Sequence, residues 1–361
     1  MNLHQLYAAI VGPPGVWRFV RVVVLISTVG AVVRLIPLPR RHAAGMRPRG
    51  RGAMPAAIAV VAIVIGGCAY VASRHAAPRP ARRPTLAADG ERSAATMRPG
   101  LGVFVAGATA SYRPVDAFMK VTGARVGLVL YYSAWNDPFQ TRFAVWAHAR
   151  DAMPMVQMEP RGVALASIAA GHSDAYLRSF AAGVRAFRYP VAVSFAPEAN
   201  GPFYSWGCGH TPASVYVSAW RHLHAVMTRA GGRNIIWVWD MNRVFHGTCP
   251  LSARWPGARY VDWVGVDGYW RGPGSSFAAT LAPTIRAARQ LTRKPVLIGE
   301  TGAPHVPAAP AWVQSVFEGA RTTPGVIGVV WFDYGDRLGD YRLEDDPPAL
   351  AMFRREARHY R

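Results

Sequence analysis

Acidic residues are scarce in this chain: 20 Asp and Glu stand against 41 Lys and Arg in 361 residues, a formal charge of +21. The imbalance sits mostly at one end. Residues 1–100 hold 14 arginines against Asp89 and Glu91 alone, and the remaining residues carry 27 basic against 18 acidic groups. No Lys/Arg block or basic amphipathic helix occurs in that larger part, so a nucleic-acid partner is not expected. Cysteine is scarcer still, at three. Cys208, Cys249, His210 and His246 lack the tight paired spacing of a zinc site, and no metal or organic cofactor is expected. A Gly-rich phosphate loop is missing after every early apolar run, which disfavours an open, doubly wound nucleotide-binding sheet. What is plentiful is apolar residues, 51% of the chain with 11% aromatics, and this excludes general disorder.

The N-terminal hundred residues read as targeting sequence. In residues 1–45 an apolar stretch from Phe19 to Leu38 is broken by Arg21 and Arg34; it is either an extra membrane helix or an extension upstream of a true start at Met46. Residues 46–73 run from Met-Arg-Pro-Arg-Gly-Arg-Gly into the apolar Ala53 to Ile65 and then Gly66-Gly-Cys68. Basic residues, an apolar core and small residues before a cysteine resemble a bacterial lipoprotein signal in which Cys68 is lipidated. A signal anchor from Ala53 to Ala72 and an ordinary cleaved signal peptide are the alternatives. All three carry the following domain out of the cytoplasm, because Arg40, Arg41, Arg47, Arg49 and Arg51 hold the preceding segment inside. Residues 74–100, rich in Ala, Arg and Pro, have no hydrophobic period and read as a tether to a domain over 101–361. With Cys68 assigned to the signal region, Cys208 and Cys249 are left as a disulfide in an oxidising compartment or as buried free thiols.

From Leu101 onward, short apolar runs alternate with helix-like stretches. The runs are Gly102 to Val105, Val126 to Tyr132, Met153 to Met158, Val191 to Phe195, Asn234 to Trp239, Val261 to Val266, Pro295 to Gly299 and Val326 to Phe332. Eight near-continuous apolar strands with intervening helices, over about 260 residues, predict a (β/α)8 barrel. Helical spacing is clearest over Asp174 to Phe187, Ser214 to Ala230, Ser276 to Leu291 and Ala311 to Ala320.

Barrel enzymes build their sites at the carboxyl ends of the strands. There the sequence places Trp135, Glu159, Glu198 with Asn200, Asp240 with Asn242, Asp267 with Tyr269, Glu300, and Trp331 with Asp333. Acids and amides suit sugar hydroxyls, and aromatic faces suit the apolar faces of pyranose rings. Glu198 and Glu300, in Phe195-Ala-Pro-Glu198-Ala-Asn-Gly201 and Gly299-Glu300-Thr-Gly302, each follow a strand directly. Two such carboxyls fit glycoside hydrolysis, where one protonates the leaving oxygen and the other attacks the anomeric carbon from about 5 to 5.5 Å away in a retaining enzyme. The plainer alternative for either is an exposed surface glutamate.

Five segments in order, covering about Gly102 to Phe332, resemble glycoside hydrolase family 26, which includes endo-β-mannanases and β-1,3-1,4-glucanases. They are Gly171-His-Ser-Asp174-Ala-Tyr176, Glu198-Ala-Asn-Gly201-Pro-Phe-Tyr-Ser-Trp206-Gly207, Asn234-Ile-Ile-Trp237-Val-Trp239, Tyr260-Val-Asp-Trp263-Val-Gly-Val-Asp267-Gly-Tyr269 and Lys294-Pro-Val-Leu-Ile-Gly-Glu300-Thr-Gly302. The resemblance implies that Glu198 is the acid/base and Glu300 the nucleophile, with Tyr269 bonded to the nucleophile and Asp267 contacting sugar. It implies further that Phe203 stands where the family has a floor tryptophan, and that Trp206 and Trp331 line the cleft. Trp135, Glu159, Asn200 and Asp240 complete the expected substrate contacts, in a monomer acting on a β-mannan or β-glucan. Two departures stand out. Pro197 replaces a family histidine and offers neither a side-chain donor nor an amide hydrogen, and Phe332 replaces an arginine after the eighth-strand tryptophan. Pro197 leaves open a barrel that has lost catalysis and serves as a carbohydrate-binding or scaffold protein, and a transglycosylase would use the same two acids.

Overall fold

The structure is a computed structural model that describes residues 100–336 and 339–360. The expectations for residues 1–99, including the targeting segment, the tether and lipidation at Cys68, lie outside the described residues. Eight strands close into a parallel barrel in sequence order: β1 (Gly100–Val105), β2 (Leu128–Ala134), β3 (Met153–Glu159), β4 (Val191–Phe195), β5 (Ile235–Asn242), β6 (Trp263–Asp267), β7 (Val296–Thr301) and β8 (Val326–Asp333). β1 pairs with both β2 and β8, so no strand edge of the barrel stays open. Around it run α1 (Arg113–Thr122), α2 (Thr141–His148), α3 (Leu165–Ala169), α4 (Asp174–Phe187), α5 (Ala213–Arg229), α6 (Leu251–Arg254), α7 (Phe277–Thr280), α8 (Ala282–Arg289), α9 (Ala309–Thr322) and α10 (Pro347–Ala357). The long helix expected from Ser276 to Leu291 is broken at Leu281, because Pro283 fits only the first turn of a new helix, where its missing amide hydrogen costs nothing.

Strand alternation sorts the apolar residues into two layers. Leu128, Leu130, Met155, Ala192, Val238, Trp263, Leu297 and Val330 fill the barrel, while Val129, Val156, Val193, Trp239, Val264, Ile298 and Val329 pack outward against the helices. Each fully buried side chain of this kind stabilises the fold by roughly 1.5–3 kcal/mol. The same alternation decides which residues near each strand end face the mouth of the barrel.

Two fasteners hold the long loop between β4 and α5. The Cys208–Cys249 disulfide forms, tying this loop to the one after β5, with the two Cα atoms 5.6 Å apart. The guanidinium of buried Arg254 lies over the Tyr216 ring and donates to the carbonyls of Gly207 (3.1 Å) and Thr211 (2.7 Å). The disulfide closes a loop of 41 residues. Replacing both cysteines by serine is therefore expected to lower stability by about 3–4 kcal/mol through chain entropy. Thermal melts of the two proteins check this, and equal melting temperatures would refute it.

β8 ends at Asp333, whose Oδ1 accepts the Leu343 amide at 2.9 Å and so pins the return of the hairpin formed by β9 (Gly335–Asp336) and β10 (Gly339–Asp340). Burial pushes the Asp333 carboxyl up to about 7 from 3.8. Because the folded state holds this proton more tightly than the unfolded chain, stability is complete below pH ~4 and is lost as pH rises toward ~7. Asp333→Asn keeps the acceptor for Leu343 and removes the titration. Unfolding free energies from urea melts at pH 5 and pH 8 are expected to differ by less in the variant, by up to about 2.7 kcal/mol; an unchanged difference would discount this role for Asp333.

Candidate active site

At the end of β4 the backbone leaves the sheet through an uncommon turn. Ala196 (φ 47°) and Glu198 (φ 54°) both occupy the left-handed region, which costs a non-glycine residue about 1–3 kcal/mol. Three hydrogen bonds hold it there. The Glu198 amide donates to the Asp240 carbonyl (2.9 Å), the Gly201 amide donates to the Glu198 carbonyl (2.8 Å), and the Trp206 indole donates to the Pro197 carbonyl (2.8 Å). Pro197, though it lacks a side-chain donor, thus anchors the turn through its carbonyl oxygen. The Glu198 side chain is directed into the barrel mouth, where Asn242 Nδ2 donates to its Oε1.

Glu300 reaches the mouth by a different device. Simple alternation along β7 would turn it outward with Ile298. The register passes from Val266↔Ile298 to Asp267↔Glu300, leaving Gly299 unopposed, and the bulge turns Glu300 inward. Its Oε1 accepts the Tyr132 hydroxyl (2.7 Å) and its Oε2 accepts the Tyr269 hydroxyl (2.6 Å). Burial, and then the Glu300 charge, push both phenols well above their usual range, so they stay protonated and donate. Two O–H donors, one on each oxygen, favour the ionised form of a carboxylate.

The two glutamates converge. Glu198 bonds Asn242 on β5, Asn242 is paired in register with Asp267 on β6, and Asp267 with Glu300 on β7, so the residue that holds Glu198 is two strand steps of about 4.8 Å each from Glu300. Both act electrostatically on the same buried groups, Asp240, Asp267 and Tyr204. Each glutamate is only 1% exposed. This is a floor, not a surface, which disposes of the reading as ordinary exposed glutamates.

Several expected substrate contacts stand elsewhere. Asp240 and Asp267 are fully buried under the glutamates, and Gln157 Nε2 donates to Asp240 Oδ2 (2.8 Å), so Asp240 lies in the barrel interior instead of on the cleft wall. Asn200 is likewise buried: its Nδ2 donates to the Asn242 carbonyl (2.8 Å) and its Oδ1 accepts the Asn242 amide (2.9 Å). It fixes the residue that holds Glu198. Trp331, 1% exposed, packs on Phe353 and donates to the Tyr341 carbonyl, in the layer between barrel and helices. Inward-facing Val330 and Phe332 flank it, and alternation forces the indole out. Trp135 is in the same outer layer, against Tyr176 and Phe195, with its indole donating to Ser173. Trp206 lies behind Tyr204, stacked at 4.4 Å, and half-buried Phe203 stacks on Phe245.

The open space is a cavity of about 280 Å³ beside Tyr132, lined by Phe104, Glu159, Arg161, Tyr204, Phe332 and Tyr334. Glu159 is there as expected, gripped by Arg161 through two bonds of 2.7 and 2.9 Å, and Phe104 stacks on Phe332. Tyr132, Gln157, Arg161, Tyr204 and Phe104 were not singled out from the sequence. Tyr132 and Phe104 were in principle within reach, since counting by twos from Leu128 and Gly102 places them on the inner face. Among the described residues no group of three or more His, Cys, Asp and Glu is arranged to hold a metal ion, and no helix is long and apolar enough to cross a membrane.

A closed parallel barrel with two strand-end carboxyls meeting at its mouth defines a (β/α)8 glycosidase-like site. Residues 114–289 match the model of glycosyl hydrolase family 26. The chain is 27% identical over 271 residues to endoglucanase H of Acetivibrio thermocellus, an alignment spanning 70% of this chain and 30% of that protein. It is 35% identical over 94 residues to mannan endo-1,4-beta-mannosidase A and B of Caldalkalibacillus mannanilyticus, spanning 24% of this chain and 18% of that protein. The chain therefore spans less than a third of the length of these curated relatives. In fold it is similar to the catalytic domain of the Bacillus sp. JAMB-750 GH26 endo-beta-1,4-mannanase, with a TM-score of 0.58 at 16% identity over 74% of this chain and 88% of that one.

Proposed function

We propose that this protein is an exported retaining endo-β-glycosidase that hydrolyses a β-linked mannan or mixed-linkage glucan. The observation that carries the reading is Glu300 held by two phenols while Glu198, on the turn after β4, is buried at the same end of the barrel and acts on the same buried acids. In the first step Glu300 attacks the anomeric carbon and Glu198 gives its proton to the departing glycosidic oxygen. In the second, Glu198 takes a proton from water, which attacks the anomeric carbon and frees Glu300. The net outcome is retention of configuration.

The printed names of the relatives cover both a glucan- and a mannan-cleaving enzyme, which supports a β-glycan without choosing the sugar. Phe104 stacked on Phe332 and open on one side to the cavity supports sugar packing there. Export, with tethering at the membrane through the N-terminal segment, is supported by the apolar stretch before Cys68 and by the disulfide, which suits an oxidising compartment. Reducing ends released from mannan, mixed-linkage glucan, β-1,3-xylan or cellulose test the activity. The anomer first formed, followed by proton NMR, tests the stereochemistry. Release from one polymer with initial β-anomer is expected. An initial α-anomer would sink the double displacement, and silence on every polymer together with binding to one would favour the carbohydrate-binding alternative that Pro197 suggests.

A further inference from the structure

Beneath Glu198 and Glu300 lies a second pair of acids that the proposed reaction does not use. Room for it is made by two glycines. A Cβ at Gly265 would lie 2.0 Å from Asp240 Oδ1, and one at Gly299 would lie 2.7 Å from Asp240 Oδ1 and 2.6 Å from Asp267 Oδ1. Both acids are wholly buried, and their carboxyl groups are within hydrogen-bond reach of each other.

The surroundings supply too few protons. Gln157 donates to Asp240 Oδ2. No donor from any described residue reaches Asp240 Oδ1 or either oxygen of Asp267. The charged groups facing the pair are Glu300 on β7 and Glu198 after β4, both acidic. The titratable neighbours are the phenols of Tyr132 and Tyr269, on the Asp267 side, and Tyr216 on the Asp240 side. Two ionised carboxylates in such a place would be desolvated, mutually repelled and short of donors, whereas one proton between them removes a charge and provides the missing hydrogen bond. The situation parallels other buried carboxyl dyads, in which like charges in contact cannot both ionise.

We propose that Asp240 and Asp267 hold one proton between them, and that Asp240 is a positioning residue that keeps this pair at a single negative charge under the two catalytic glutamates. A dianionic pair would add a second negative charge beside Glu300 and oppose its ionisation. A monoanionic pair limits that repulsion while its shared proton fixes both side chains in the space that Gly265 and Gly299 leave. The kinetic part of this inference rests on the glycosidase reading; the protonation part does not.

The experiment is infrared difference spectroscopy of the intact protein at neutral pH, wild type minus D240N/D267N, in which both acids become isosteric amides. One shared proton predicts loss of both a protonated-carboxyl C=O band and an ionised-carboxylate band. Loss of the carboxylate band alone would mean two ionised acids, and loss of the carboxyl band alone two protonated ones; either overturns the proposal. If the double variant does not fold, D240N serves: Asn donates to Asp267, so only the carboxyl band is expected to disappear, and its persistence overturns the proposal. In the pH profile of kcat/KM, D240N keeps the charge of the pair and leaves the alkaline limb in place. A dianionic pair would instead lose a charge in D240N and move that limb to lower pH. Inactivity on all polymers with the two-band pattern intact would count against the glycosidase reading and leave the shared proton standing.

Discussion

Glu300→Ala is expected to lower kcat/KM on the responsive polysaccharide by about 10⁵-fold or more, because in the proposed double displacement it removes the nucleophile. Glu198→Ala is expected to cost less, about 10²–10⁴-fold, the usual worth of one general acid/base. The two differ in kind as well. An activated aryl glycoside, whose leaving group departs without a proton, should recover much of the first-step rate in Glu198→Ala and none in Glu300→Ala. Burst kinetics on such a substrate make the comparison directly. Equal, leaving-group-independent losses in the two variants would contradict the separate roles assigned here. Both changes shorten a side chain in the buried floor, so near-UV circular dichroism of the variants separates lost chemistry from lost packing.

The second large effect is expected from removing both phenols that hold Glu300. Tyr132→Phe and Tyr269→Phe each delete one O–H donor to a buried carboxylate and leave the ring in place. Hydrogen bonds to charged groups are worth about 1.5–3 kcal/mol, so each change should reduce kcat/KM about 10- to 100-fold, and the double variant about 10³-fold. The pH dependence gives the sign. The donors favour the ionised nucleophile, so without them more base is needed to ionise it, and the acid limb of the kcat/KM profile moves to higher pH. An acid limb that stays put in the double variant, whatever the drop in rate, would mean the phenols only pack against Glu300. Since the two bonds share one acceptor group, the single-variant losses need not add.

The contributions of sequence and tertiary structure divide at the level of side-chain direction. Each expected strand is present, with its bounds within about three residues, since buried parallel strands must be apolar on both faces and so stand out as runs. The same property hides which face of a strand looks inward. Trp331 and Trp135, read as cleft aromatics, point to the helices, and Phe332, noted as a departure, lies on the inner face at the mouth. Asn200 is a third instance, since the Asn200–Asn242 clasp joins the turn after β4 to the end of β5, a contact that no local pattern reports.

What the sequence by itself determined is the (β/α)8 order, the two glutamates at strand ends and the cysteines available to pair, because these rest on local periodicity, on residue type and on counting. What only the tertiary structure decided is how those glutamates are placed and what surrounds them. The bulge at Gly299 turns Glu300 inward, Tyr132 comes to it from a strand 168 residues away, and Asp240 meets Asp267 in the space left by two glycines. Barrel closure brings these groups together, and a contact made by closure depends on register and curvature, which appear in no stretch of sequence short enough to read.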